Sequence, residues 1–274
     1  MKTRAITAFF FTIVMLGSIF LGGYTFTFFY LLLSLLALFE FFKLVQTSGL
    51  KPHKSIALMA GTLIFLLVAS KQYALFNTAL LLLLIPLITA VFIAELYSKE
   101  KNPFLNIAVT FTGLIFVTMP FCFFYALGFL NVAGIDDPYN FHLPLSFLLL
   151  LWASDTGQYL FGVKLGKTPL FERHSPKKSW EGFFGGVFTS VLVSYLLSLW
   201  FVELNPLVLA GMAVIIVGFG TLGDLVESML KRSLNVKDSG NILPGHGGFL
   251  DRFDGLLIAA PLVYAYLYLI LYSF

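Results

Sequence analysis

Charge is what this sequence has least of. Only 11% of its 274 residues are charged, against about 25% in a soluble globular domain. Apolar residues make up 59%, with 32 Phe among them. A water-soluble particle of this size is excluded, because too little polar surface remains to cover it. Cysteine is almost absent: Cys122 stands alone in an apolar run, so there is no intrachain disulfide framework and its role is that of a small core hydrophobe. Internal repeats, low-complexity tracts and interdomain linkers are also missing. No small-x-small cleavage site follows the first apolar stretch, residues 6–21, which is therefore read as a retained span rather than a signal peptide. The net charge of +3 says little by itself and suggests no nucleic-acid partner.

What the sequence has instead is long apolar runs. A helix crossing a hydrocarbon core about 30 Å thick needs about 20 mostly apolar residues. Nine segments meet that need or nearly do, the third being short: about 5–22, 24–42, 55–70, 74–94, 104–127, 141–162, 182–202, 206–230 and 255–272. The expected fold is an all-α polytopic membrane protein forming a single transmembrane domain, 1–274. Spans 1–5 (1–140) act as a scaffold with room for a homodimer interface, and spans 6–9 (141–274) carry the chemistry. Basic residues give an independent check. Assigned to alternate connections, all 17 Lys and Arg except Lys71 fall on one side. By the positive-inside rule that side is cytoplasmic, which puts the N-terminus inside and the C-terminus outside. The opposite connections, including the one with Asp136 and Asp137, are too short to hold a domain. Chemistry is expected at the cytoplasmic face of the plasma membrane, chiefly in the loops 166–181 and 231–254.

Polar residues gather at those loops. Asp224, Glu227, Ser228 and Lys231 follow a helical i, i+3, i+4, i+7 stripe, as do Asp155, Gln158, Tyr159 and Gly162. A carboxylate inside or at the edge of a span costs roughly 2.5–3.5 kcal/mol on insertion scales, so it needs a partner or a cavity. Glu227 and Lys231 also have the spacing of an ordinary local pair. In the last loop, Gly245, Gly247 and Gly248 flank His246 and let the backbone approach an anion. Asp251 and Asp254 share one helix turn if the last span begins there; two acids so close repel unless a cation joins them, and oxygen ligands suit Mg²⁺ with phosphate. Ser175, Lys178 and Ser179 beside Glu181 sit where a helix starts, able to cap it and to hold phosphate. Glu40 with Lys43, and Glu95, read as local pairs at span ends. His53, His142 and His174 receive no ligand role.

From Ser228 to Asp254 the chain resembles the phosphatidate cytidylyltransferases, also called CDP-diacylglycerol synthases. Their signature is matched by Ser228, Lys231, Arg232, Lys237, Asp238, His246, Gly247, Gly248, Asp251, Arg252 and Asp254, with every spacing intact. The likeness extends to Asp155, to 162–167 and to 175–182, and it is thin over 1–140. One departure is Val163, where the family commonly has a base; here Lys164 follows instead. The resemblance implies that phosphatidic acid and CTP react to CDP-diacylglycerol and pyrophosphate with Mg²⁺, leaving room for a second cation. On this reading Asp224 and Asp251 are metal ligands, with Asp254 and Glu227 behind them. Lys231, Arg232, Lys237 and Arg252 clamp phosphates, the Gly245–Gly248 backbone lies along CTP, and His246 serves the leaving pyrophosphate. Ser175, Lys178 and Ser179 are the candidates for the lipid phosphate, and Asp155, Ser228 and Asp238 join the substrate site. Two rivals remain: a CTP-dependent lipid kinase, which would release CDP, and an anion transporter. The transporter is disfavoured because spans 1–5 carry almost no charge at mid-depth.

Overall fold

The computed structural model describes residues 2–73, 75–132, 137–240 and 247–273. Each of the nine apolar segments is helical. The helices are α1 (Lys2–Phe20), α2 (Gly23–Gln46), α3 (Lys54–Gln72), α4 (Leu84–Leu96), α5 (Pro103–Gly113), α6 (Met119–Leu127), α7 (His142–Leu165), α8 (Trp180–Trp200), α9 (Pro206–Ser233) and α10 (Leu250–Ser273). A 3₁₀ segment, Thr78–Leu83, runs into α4, and a π-turn, Leu114–Thr118, joins α5 to α6, so each pair makes one span. The π-turn has a local cause: Pro120 offers no N–H to Phe116, and the hydrogen-bond ladder shifts register just before it. Among the described residues seven helices are long and apolar enough to cross a membrane. The protein is an all-α polytopic membrane protein. α1 contributes a shorter apolar stretch, Phe9–Phe20. α7 has the length, with 24 residues, but Ser154, Asp155, Thr156 and Gln158 make its second half polar.

The described chain forms two compact units, 1–126 with 233–253 and 127–232 with 254–274. In the first, α2 is the central helix, and Phe26, Tyr30 and Phe42 are fully buried along it. Phe26 and Tyr30 pack on Phe124 and Tyr125 with ring centroids 4.8–6.1 Å apart. The hydroxyls of Tyr73 and Tyr125 each lie 3.0 Å from Thr27 Oγ1. A buried polar cluster in this unit is paired internally, which offsets the cost of leaving such groups dry. His53 Nε2 lies 2.6 Å from Glu95 Oε2, and Asn106 Nδ2 donates to Glu95 Oε1 at 3.0 Å. Asn106 Oδ1 in turn accepts from the Lys51 backbone, and Thr110 from the His53 backbone. This corrects the sequence reading of both residues: Glu95 is buried rather than at a solvated span end, and His53 is its partner.

In the second unit α7 and α8 form the most extensive helix pair. In lipid there is no hydrophobic force between helices, so close approach and interhelical hydrogen bonds must hold them. A Cβ on Gly157 would meet Thr189 and Gly185, and one on Gly185 would meet the Phe161 ring. Ser190 Oγ donates to the Leu150 carbonyl at 3.1 Å and Thr189 Oγ1 to that of Ala153 at 3.0 Å. His142, assigned no ligand role from sequence, pairs with Glu203 through Nδ1. Between α7 and α8 the loop carries a small antiparallel hairpin, β1 (Pro169–Phe171) and β2 (Ser175–Ser179), with Pro169 opposite Ser179 and Phe171 opposite Ser175.

Candidate active site

The second unit contains a cleft of about 550 Å³, lined by Asp155, Gln158, Tyr159, Gly162 and Val163 of α7, Lys177, Lys178 and Ser179 of β2, Gly182 and Phe183 of α8, and Asp224 of α9. Its walls follow from the tight α7–α8 seam and from the hairpin that the seam carries. The hairpin is anchored where it meets α8. Ser179 is the N-cap, its Oγ accepting from the Gly182 backbone at 3.1 Å. Glu181, in the first turn, accepts from the backbone N–H groups of Lys167 and Thr168 at 3.1–3.2 Å. A helix N-terminus with a hydroxyl cap and adjacent lysines is suited to an anion.

Asp224 faces this basic wall. Its Oδ2 lies 2.5 Å from Lys178 Nζ, and its Oδ1 accepts from Ser228 Oγ at 3.2 Å, four residues along α9. Asp254, on α10, lies within electrostatic reach of Asp224, Asp155 and Lys178. Asp155 and Asp224 thus line the cleft together with Lys178, and the ion pair is between Lys178 and Asp224. One turn beyond Asp224, Glu227 is fully buried and meets Lys231 Nζ at 2.5 Å, the local pair that its spacing allowed. Ser175 opens β2, and Arg232 is exposed at the end of α9.

The remaining described site candidates lie in the first unit. Lys237, Asp238 and Arg252 are exposed. Gly245 and His246 lie outside the described residues. Asp251 stands in the first turn of α10, where its Oδ2 accepts from Ser239 N at 3.0 Å, Ser239 Oγ at 2.8 Å and Gly248 N at 2.9 Å. The two glycines here have a steric reason. Gly247 has a positive φ of 79°, and a Cβ on it would meet Asp251 Oδ2 at 2.5 Å; a Cβ on Gly248 would run into the Glu40 carboxylate.

Glu40 is the residue that sequence reading missed. It does not pair with Lys43. Its side chain is buried and accepts from Ser239 Oγ, from Phe249 N at 2.8 Å and from Leu250 N at 3.1 Å. The signal was present in the sequence: an acid late in a Phe-rich span faces the same insertion cost as Asp224. What the sequence lacked was a partner, because the donors lie about 200 residues away.

Among the described residues no three His, Cys, Asp or Glu side chains converge into a complete metal-ligand set. The donors present are oxygens, in ones and twos beside lysine and serine side chains. That suits Mg²⁺, which is ordinarily held by one or two carboxylates, with water and substrate phosphates filling the remaining positions. The lysine ammonium on Asp224 also marks a place where positive charge is stabilised.

Comparison with known proteins places the chain beside a characterised family. The family profile described as "Cytidylyltransferase family" matches residues 2–270. A phosphatidate cytidylyltransferase of Staphylococcus aureus (strain COL) is 37% identical over 270 residues, covering 96% of this chain and 97% of that protein. Those of Staphylococcus haemolyticus and Staphylococcus epidermidis are 35% identical over 270 and 265 residues, again covering 96% of this chain and 97% of each relative.

Proposed function

The chain belongs to the cytidylyltransferase family, and from that membership and the geometry of the cleft we infer that it transfers the cytidylyl group of CTP to phosphatidic acid. A phosphate oxygen of phosphatidic acid bonds to the α-phosphorus of CTP, the bond from that phosphorus to the bridging oxygen breaks, and pyrophosphate leaves. The observation that carries this reading is the meeting of Asp155, Lys178, Ser179 and Asp224 around one cleft, at the N-terminus of α8.

Both substrates are polyanions, so the barrier is largely repulsion between phosphates, and catalysis rests on positioning and electrostatics. The attacking phosphate needs no dedicated base, because the second pKa of a phosphomonoester is near 6. Lys178, the Ser179 hydroxyl and the α8 N-terminus hold the lipid phosphate. Lys231, Arg232, Lys237 and Arg252 are the clamps for CTP. Asp224 and Asp251 are the proposed holders of Mg²⁺, which when bound neutralises phosphate charge. The proposed site faces the cytoplasm of a plasma membrane, where CTP is supplied and phosphatidic acid stays in the bilayer; the one-sided distribution of basic residues supports this orientation.

The test is release of pyrophosphate by purified protein given CTP, Mg²⁺ and phosphatidic acid in mixed micelles. Release should require all three. Absence of release with any divalent cation would refute the reading.

A further inference from the structure

We propose that Glu40 is a positioning residue for this reaction: from α2 it fixes the start of α10 and, through Ser239, the carboxylate of Asp251. The proposal rests on the cytidylyl-transfer reading above and extends it to a residue outside the signature.

The geometry is that of a clasp. Glu40 is 1% exposed, so its carboxylate must be satisfied inside the protein. Its three donors all belong to the segment that leads into α10. Two of them, Phe249 N and Leu250 N, stand at the start of that helix, where backbone N–H groups have no intrahelical acceptor. The third, the Ser239 hydroxyl, also contacts Asp251 Oδ2 at 2.8 Å. A serine hydroxyl has one proton to donate and two lone pairs, so its contact with one carboxylate conditions its contact with the other. Ser239 and Gly248 are thereby held against both acids, and Gly248 has no Cβ because Glu40 occupies that space. Glu40 itself is enclosed by these protein donors. Its effect passes through the orientation of Asp251 and the first turn of α10.

Glu40→Gln tests this with little change of shape. However the amide is turned, one of its N–H groups faces Phe249 N–H or Leu250 N–H, and the clasp loses an acceptor. Ser239→Ala is the second variant: it removes the bridge to Asp251 and leaves both backbone bonds to Glu40 in place. The readouts are kcat and KM for each substrate per folded molecule, the melting temperature, and amide exchange of the peptide 247–253. We expect kcat to fall by about 30-fold in Glu40→Gln and about 10-fold in Ser239→Ala. KM for phosphatidic acid should stay within about twofold, since its proposed phosphate site lies on α8. Amide exchange should speed up at 247–253 in Glu40→Gln. The proposal is overturned if both variants keep wild-type kcat, or if the only changes are a lower melting temperature and yield. Unchanged amide exchange in Glu40→Gln would also overturn it, whatever the activity. A wild-type protein that shows no phosphatidic-acid-dependent turnover would instead defeat the underlying reading.

Discussion

Asp224→Asn should yield a folded membrane protein with less than about a thousandth of wild-type turnover, a loss of roughly 4 kcal/mol in transition-state stabilisation. The change keeps shape and volume, and an asparagine oxygen can still accept from Ser228, so the end of α9 should hold together. What disappears is the negative charge opposite Lys178, 2.5 Å away in the wild type. Lys178 then loses the partner that orients it, and the proposed cation loses a ligand. The measurement is steady-state pyrophosphate release, with size-exclusion profile and melting temperature as controls for folding. Retention of more than about a tenth of the activity would remove Asp224 from the catalytic centre.

Asp251 should respond differently to two substitutions, because it does two things. One of its oxygens gathers Ser239 N, Ser239 Oγ and Gly248 N into a turn. Its charge is the proposed contribution to cation binding. Asp251→Asn can keep an oxygen facing the three donors, so the melting temperature should change by only a few degrees while turnover falls about a thousandfold. Asp251→Ala takes this acceptor from Ser239 N and Gly248 N, while the Ser239 hydroxyl keeps Glu40, at a cost of about 1–3 kcal/mol for each buried group left unpaired. It should show the same loss of turnover together with a markedly lower melting temperature. If the two variants were equally stable, the turn would not depend on this carboxylate. If Asp251→Asn were nearly as active as wild type, its charge would have no part in the reaction.

The helical plan was legible because hydropathy and basic residues report it independently. Runs of about 20 apolar residues mark spans, and helical structure occupies each expected segment, although the fourth begins in a 3₁₀ turn at Thr78 and the fifth is interrupted by a π-turn. The last helix opens at Leu250, five residues ahead of the expected span 255–272, and so brings Asp251 and Asp254 into its first turns, which the sequence reading held only as a condition. The β1–β2 hairpin was not legible. Its strands have three and five residues, contain Pro169 and Pro176, and show no apolar alternation.

Among the acids, legibility depended on where the partner lies in the chain. Glu227 and Lys231 are four residues apart on one helix, so their pair could be read directly. Glu95 and His53 are 42 residues apart, and Glu40 meets donors some 200 residues on; no local rule connects them. The same limit explains the glycines. A Gly-Gly turn beside a histidine suggests a phosphate cradle, whereas in the structure Gly247 and Gly248 also leave room for the carboxylates of Asp251 and Glu40.

The fate of the CTP phosphates tests the account most directly. Protein in phosphatidic-acid micelles with Mg²⁺ is given CTP labelled at either the α- or the γ-phosphorus, and the lipid and aqueous phases are separated. The account predicts that the α-label enters the lipid and the γ-label leaves as pyrophosphate. A γ-label in the lipid, with CDP released, would make the protein a kinase and contradict the account.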